Sequence, residues 1–131
     1  MSAAASDILV SVFARTDVGR HRRGNEDAFL IADLTSGKVG LGPEVTTHSI
    51  GERGSLLIVS DGMGGAAAGE VASEIAVTTI RQSLLEIPPD IDTPNRLRIA
   101  TELAKEVIWS EAQQKAELMG MGATVTAALV L

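Results

Sequence analysis

Residues 56–65, LLIVSDGMGG, join a short apolar run to a turn that contains three glycines in four positions. A continuous apolar run such as Leu56–Val59 is typical of a strand that is buried on both faces. Glycine adopts backbone conformations that other residues avoid, so the chain can turn sharply after this run. The pattern therefore predicts a buried strand that carries a carboxylate, Asp61, at its end.

Alternating apolar and polar residues predict further strands on either side of this segment. One strand is expected from Ile8 to Arg15, a second from Asp27 to Leu34 and a last one from Ala123 to Leu131. Residues 35–54 are rich in Gly, Ser and Thr, and this composition predicts a long exposed connection between the second strand and the buried one.

Two helices are predicted between the buried strand and the last strand. Apolar residues recur at steps of three and four from Ala68 to Leu84, and Pro88–Pro89 end that helix. The second helix is expected to begin with Thr93 as its N-cap and Pro94 in its first position, and to end at Gly120. The predicted order is strand, strand, strand, helix, helix, strand.

Composition bounds the class of protein. The 131 residues suit a single domain, and the net charge of −6 argues against nucleic acid or an anionic membrane as a partner. The chain has no cysteine, which excludes disulfides and thiolate metal sites. Residues 1–7, MSAAASD, lack the pattern of a signal peptide, and no apolar run approaches the ~20 residues that span a bilayer. We therefore expect a cytoplasmic protein.

The residue types around this turn suit the binding of a hard divalent cation. Mg²⁺ and Mn²⁺ prefer carboxylate and carbonyl oxygens. Glu26 precedes one predicted strand and Asp61 ends another, so neighbouring strands would bring them together, and Gly62 lets the backbone turn its carbonyl to the same ion. An arginine of residues 19–29, GRHRRGNEDAF, would bind a phosphate oxygen. The combination suggests metal-assisted phosphoryl chemistry.

Each of these signals also has a plain structural interpretation. An Asp-Gly pair after a strand is usually only a turn, and Asn25–Asp27 fits a solvated loop. The four arginines within residues 15–23 fit a solvated basic loop. His21 and His48 lie in polar segments where exposure is expected, and they make a poor zinc site. The occurrence of all three signals in this order favours the functional interpretation.

Three segments, TDVGRHRRGNEDAF, LLIVSDGMGGAAAGEVAS and MGATVTAALV, closely resemble the bacterial branch of the type 2C metal-dependent serine/threonine protein phosphatases. The resemblance runs from about Phe13 to the C-terminus. It implies an α+β fold, a four-layer α-β-β-α sandwich of two antiparallel sheets flanked by helices. Residues 1–131 would be the N-terminal part of that single domain, truncated after the GATVTAALV strand, so that only the first half of the sandwich is present.

The resemblance also implies a role for each site residue. Asp61 would bridge two Mg²⁺ or Mn²⁺ ions, and Glu26 and the carbonyl of Gly62 would bind one of them. Asp27 would form a hydrogen bond to metal-bound water, and Arg22 would hold the phosphate. The implied activity is that of a hydrolase in bacterial signalling, in which a metal-activated water attacks phosphoserine or phosphothreonine of a phosphorylated protein.

In the family, two further aspartates beyond another strand complete the metal ligands, and no segment of this chain matches them. Activity of the 131-residue chain is therefore a separate question from family membership. One alternative is a non-catalytic phosphoprotein- or metal-binding module in which Arg22 binds without hydrolysis. Another is an interaction fragment that pairs the open edge of its last strand with a second copy or with a missing half.

Overall fold

The computed structural model describes residues 8–20, 24–40 and 45–131. The strands in these ranges are β1 Leu9–Val12, β2 Asp27–Asp33, β3 Val39–Gly40, β4 Thr46–Ser49, β5 Ser55–Met63, β6 Gly122–Ala123 and β7 Thr126–Val130. The helices α1 Ala66–Glu86 and α2 Thr93–Gln114 lie between β5 and β6, and a 3₁₀ turn, Ala116–Leu118, follows α2. None of the helices in the described part of the chain has the length and apolar character needed to cross a membrane.

β5 is the central strand of a five-stranded antiparallel sheet. β2 pairs with β5 along its whole length, from Asp27 opposite Asp61 to Asp33 opposite Ser55, and β3 lies outside β2. On its other side β5 pairs first with β7 and then, beyond Asp61, with β6. Since β5 has partners on both sides, the end of this strand is held firmly in the sheet.

One face of this sheet packs against both helices. Side chains of β5 and β2 that share this face, among them Leu56, Ile58 and Leu30, are buried against Ile80 of α1. Buried alanines line the contact between the two helices: Ala72, Ala76, Ala100 and Ala104. Small side chains allow close approach of the helices, so a chain with only 2 % aromatic residues still forms a dense core.

The prediction that β5 is buried on both faces is wrong. Its odd-numbered residues face away from the helices, and Val59 and Met63 are each 54 % exposed there. At the Ser55 end of this outer face, His48 of the ribbon formed by β1 and β4 lies against the strand. The strand is also longer than the expected Leu56–Val59 and includes Asp61.

The prediction of an exposed connection over residues 35–54 is also wrong in part, because this segment contains β3 and β4. β4 forms a two-stranded ribbon with β1, in which Leu9 pairs with Ser49 and Val12 with Thr46. Threonine is a good strand former even where the pattern is polar. His48 is half-buried rather than exposed, and its Nε2 lies 2.5 Å from the hydroxyl of Ser55 on β5. His21 lies outside the described residues.

The ends of α2 differ from the prediction. Asp92, and not Thr93, is the N-cap: its backbone is extended, and its carboxylate accepts hydrogen bonds from the backbone N–H and side-chain Nδ2 of Asn95. An aspartate is at least as good an N-cap as a threonine, and here it stands one position earlier. The helix ends at Gln114 instead of Gly120, which belongs to a separate turn with a φ of +80°.

Candidate functional site

Two of the predicted site residues face each other across the β2–β5 ladder. Asp27 and Asp61 are directly paired, and both are exposed at the end of the ladder opposite to Ser55. Directly opposed side chains on antiparallel strands lie close together, and like charges in this position repel. A cation bound at this edge would relieve that repulsion.

Glu26 and Gly62 are joined through their backbones. The N–H of Gly62 donates to the carbonyl of Glu26 at 3.0 Å, one step beyond the Asp27–Asp61 pair. The side chain of Glu26 is half-buried and lies against Gly69 of α1. Successive residues of a strand point to opposite faces, so the carboxylates of Glu26 and Asp61 leave the sheet edge on opposite sides.

Thr124 fixes the backbone of Asp61. Its N–H donates to the Asp61 carbonyl at 2.8 Å, and its hydroxyl oxygen accepts from the Asp61 N–H at 3.2 Å. The neighbouring Ser60 is buried, and its hydroxyl donates to the Thr124 carbonyl at 2.7 Å. Sequence reasoning placed Thr124 only within a strand motif and did not identify this contact. The hydroxyl of Thr124 also lies 3.5 Å from the Asp61 carbonyl, so four hydrogen bonds join the end of β5 to the segment between β6 and β7.

The turn between β5 and α1 requires glycine. Gly64 and Gly65 have φ values of +118° and +95°, in the region that residues with side chains rarely adopt. Gly65 is also the N-cap of α1, and no side chain of the described residues caps the start of this helix. The turn therefore brings the N-terminal end of α1, with its unpaired N–H groups, next to the Asp61 edge of the sheet.

A cleft of about 250 Å³ lies on the outer side of this edge. Its lining includes Asp27, Asp61, Thr124, Arg15 and Thr16. The Thr16 hydroxyl accepts from the Asn25 side chain at 2.7 Å, which ties the approach to β2 to the cleft wall. Arg15 is exposed and forms an ion pair with Asp17 at 3.4 Å.

The sequence places Arg15 at the end of a predicted strand and among the arginines of a basic loop, and no local pattern marks it as a site residue. Arg22, the residue predicted to hold the phosphate, lies outside the described residues. Within the described part of the chain, Arg15 contributes a positive charge to the cleft wall beside the carboxylates. A cleft wall with both positive and negative side chains suits the binding of both a cation and an anion.

The oxygen atoms available at this edge suit a hard divalent cation. They are the carboxylates of Asp61, Asp27 and Glu26 and the backbone carbonyl of Gly62, which is the donor chemistry of Mg²⁺ and Mn²⁺ sites. No group of three or more His, Asp or Glu side chains in residues 8–20, 24–40 and 45–131 is arranged to hold a metal ion by itself. The described residues therefore fit part of a coordination shell, with other ligands required to complete it.

Comparisons with known proteins agree with this architecture. A family model described as Protein phosphatase 2C matches residues 45–131. The chain is 32 % identical to the serine/threonine protein phosphatase PstP of Mycobacterium tuberculosis over 122 residues, which is 93 % of this chain and 20 % of PstP. It is 35 % identical to the serine/threonine phosphatase stp of Listeria monocytogenes over 121 residues, 88 % of this chain and 41 % of that protein.

Solved structures give the same result. Serine/threonine phosphatase Stp1 from Staphylococcus aureus superposes with a TM-score of 0.71 at 30 % identity, over 100 % of this chain and 46 % of that one. The catalytic domain of PstP in complex with two manganese ions superposes with a TM-score of 0.65 at 30 % identity, over 95 % of this chain and 45 % of that one.

The chain belongs to the protein phosphatase 2C family, and the relatives that it matches are bacterial serine/threonine phosphatases. Its two antiparallel sheets and two helices confirm the predicted α+β sandwich as the N-terminal portion of that fold. The chain spans only a fifth to two fifths of the length of these two relatives.

Proposed function

We propose that this chain carries the Asp61 half of the active site of a metal-dependent serine/threonine protein phosphatase. The observation that carries the proposal is the placement of Asp61. It lies at the end of the central strand with its backbone held by Thr124, directly across from Asp27 and next to Gly62, whose N–H is bound to Glu26. A divalent ion is a ligand that suits oxygen atoms of these types.

In the proposed site, Asp61, Glu26 and the Gly62 carbonyl hold Mg²⁺ or Mn²⁺ at the edge of the sheet. The ion, when bound, activates a water and offsets the negative charge of the phosphate. Asp27 orients the attacking water by accepting a hydrogen bond from it. The guanidinium of Arg22 binds two phosphate oxygens, which positions phosphorus for direct attack without a phosphoenzyme.

The proposed substrates are cytoplasmic proteins phosphorylated on serine or threonine. The cleft beside Asp61 is open at the surface, so a phosphorylated side chain on a protein can reach it. Arg15 on its wall lies where it can attract the phosphate before the side chain of Arg22 binds it.

The test is hydrolysis of a phosphothreonine peptide by the 131-residue chain with Mn²⁺, with and without EDTA. Asp61→Asn removes the charge at the site, and Asp90→Asn makes the same change at an exposed residue between the helices. Phosphate release that requires Mn²⁺, is abolished in Asp61→Asn and is retained in Asp90→Asn would support the proposal. Turnover that persists in EDTA, or in Asp61→Asn, would contradict the proposal.

The second candidate is a module that binds phosphoprotein or metal without turnover. A complete catalytic metal site would need a group of three or more metal-binding side chains, and the described residues contain none, so binding without turnover is the alternative. Calorimetric titration with the same phosphopeptide distinguishes the two. Binding without phosphate release, lost in Arg22→Ala, would support this candidate, and release of phosphate would exclude it.

A further inference from the structure

Gly69 is a buried residue near the start of α1, and the side chain of Glu26 lies beside it. A Cβ atom placed on Gly69 would stand 2.6 Å from Oε2 of Glu26, 3.0 Å from its Cδ and 3.1 Å from its Cγ. Non-bonded heavy atoms pack at ~3.5–4.0 Å. The three nearest atoms all belong to one side chain, so Glu26 occupies the space that a residue with a side chain would fill.

The helix itself does not require glycine at this position. Gly69 donates its N–H to the carbonyl of Gly65 at 2.7 Å, as a regular helical residue does, and it is absent from the glycines with positive φ. Alanine is the better helix former, because glycine loses more backbone entropy on folding. Helix formation therefore does not explain the glycine at position 69. The close contact with the Glu26 side chain does explain it.

The surroundings of Gly69 bring three elements together. A Cβ on Gly62 of β5 would collide with the carbonyl of Gly69 and would also approach the carbonyl of Glu26 to 2.9 Å. β5, the first turns of α1 and the residue before β2 thus meet at closely packed backbone. The first turn of α1 has no acidic residue and no side-chain cap. The negative charge of Glu26 is favourable near this positive end of the helix.

We propose that Gly69 is a positioning residue for Glu26. Its lack of a side chain lets the Glu26 carboxylate lie between β2 and α1, close to Gly62. In the proposed function, Glu26 and Asp61 would hold an ion at the edge of the sheet from its two sides. The assignment of Glu26 as a metal ligand rests on the proposed function. An alanine at position 69 would be tolerated by the helix and would displace the carboxylate, since the atoms that must move are the end of a flexible side chain.

A double-mutant cycle tests the contact without any dependence on activity. Gly69→Ala is made in the parent chain and in Glu26→Ala, and melting temperatures are measured for all four proteins in EDTA. We expect Gly69→Ala to raise the melting temperature in the Glu26→Ala chain, where the space is free, and to raise it less or lower it in the parent. The exposed Ala67→Gly is the matched control, because it reports the local difference between alanine and glycine in the same helix.

Equilibrium titration with Mn²⁺, followed by the signal of the free ion in electron paramagnetic resonance, measures the consequence for the site. Gly69→Ala is expected to weaken Mn²⁺ binding on the order of tenfold. Ala67→Gly is expected to bind Mn²⁺ as the parent does, because Ala67 is exposed and has no role in the proposed site.

Each outcome decides a separate point. Equal shifts of the melting temperature in both backgrounds would overturn the inference, as would an unfolded Gly69→Ala chain that Glu26→Ala does not rescue. If the shifts of the melting temperature differ between the two backgrounds but the Mn²⁺ affinity is unchanged, Gly69 has a packing role only. This result would also overturn the inference. Failure of the parent chain to bind Mn²⁺ would contradict the proposed metal site, while the melting temperatures would still decide whether Gly69 places Glu26.

Discussion

Thr124 and Asp61 lie 63 positions apart in the chain, and Thr124 forms hydrogen bonds to both the N–H and the carbonyl of Asp61. The Thr124 N–H donates to the Asp61 carbonyl at 2.8 Å, and its hydroxyl oxygen accepts from the Asp61 N–H at 3.2 Å. The segment between β6 and β7 therefore fixes the peptide groups on both sides of the Asp61 Cα. This contact restricts the direction in which the carboxylate leaves the sheet.

The first prediction concerns the hydroxyl of Thr124. Thr124→Val keeps the shape of the side chain but leaves the Asp61 N–H without its acceptor, so we expect a loss of about 1 kcal/mol in the free energy of unfolding. Thr124→Ser retains the hydroxyl and should lose less. Urea denaturation of the three proteins measures the difference. A Thr124→Val chain as stable as the parent would show that the hydroxyl does not hold Asp61.

The second prediction concerns stabilisation by metal. An ion that binds only the folded chain raises the free energy of unfolding by about 2.7 kcal/mol at a free concentration a hundred times its Kd. Mn²⁺ should therefore raise the melting temperature of the parent and leave that of Asp61→Asn unchanged. The same titration with Asp90→Asn controls for the loss of one negative charge. Equal stabilisation of all three proteins would indicate weak binding elsewhere on the acidic surface.

The third prediction concerns the β1–β4 ribbon. His48 connects it to the central sheet through the 2.5 Å contact of Nε2 with the buried hydroxyl of Ser55. His48→Ala should weaken this attachment by about 1 kcal/mol. Hydrogen exchange should then quicken at the amides of β1 and β4 more than at those of β5.

A control for this prediction is available in the ribbon itself. Ser11→Ala removes the exposed hydroxyl contact with Thr47, 2.9 Å long, which joins the two ribbon strands but not the ribbon to the sheet. An exposed change of this kind is expected to alter the free energy of unfolding by no more than about 0.5 kcal/mol. If Ser11→Ala and His48→Ala quicken exchange equally, the His48–Ser55 contact does not attach the ribbon.

The fourth prediction concerns pH and Asp33 at the end of β2. Burial raises the pKa of Asp33, but hydrogen bonds from the Ser36 hydroxyl and from the backbone N–H groups of Thr35 and Ser36, with the charge of His48, outweigh it and lower the pKa overall. A lowered pKa contributes stability above the ordinary value of about 3.9, and this contribution is lost as the pH falls through the value in the folded protein.

Urea denaturation between pH 6 and pH 3, on the order of the range in which carboxylates titrate, tests this sign. The parent should lose more stability over this range than Asp33→Asn, which has no proton to take up at this position. Parallel pH profiles for the two proteins would contradict the prediction. Asp90→Asn again provides a charge-matched control.

The long periodic elements could be predicted from the sequence alone. α1 and β2 were found almost to their ends, because each has a regular apolar pattern that a single element can bury. β4 was missed because its residues are polar, and its partner β1 lies far away in the chain. The two faces of β5 could not be distinguished in an apolar run, since that distinction depends on what the second sheet covers.

The candidate site divides in the same way. Asp61, Gly62, Glu26 and Asp27 stand in continuous motifs, so a sequence can point to them directly. The hydrogen bonds between Thr124 and Asp61 depend on how β6 and β7 pair with β5. No local sequence pattern predicts this pairing. Gly69 lies within a helical pattern, where a single glycine does not indicate a function. Its proposed role is evident only from the position of the Glu26 side chain in the structure.

β5 serves the core with one half of its length and the site with the other. Leu56 and Ile58 are buried beneath the helices, and Asp61 on the opposite face is carried by the same ladder. A slip of one residue in this strand would turn its buried residues outward and Asp61 towards α1. A chain with this register error would lose both its buried core and the exposed position of Asp61. Selection for a stable fold therefore also maintains the position of Asp61.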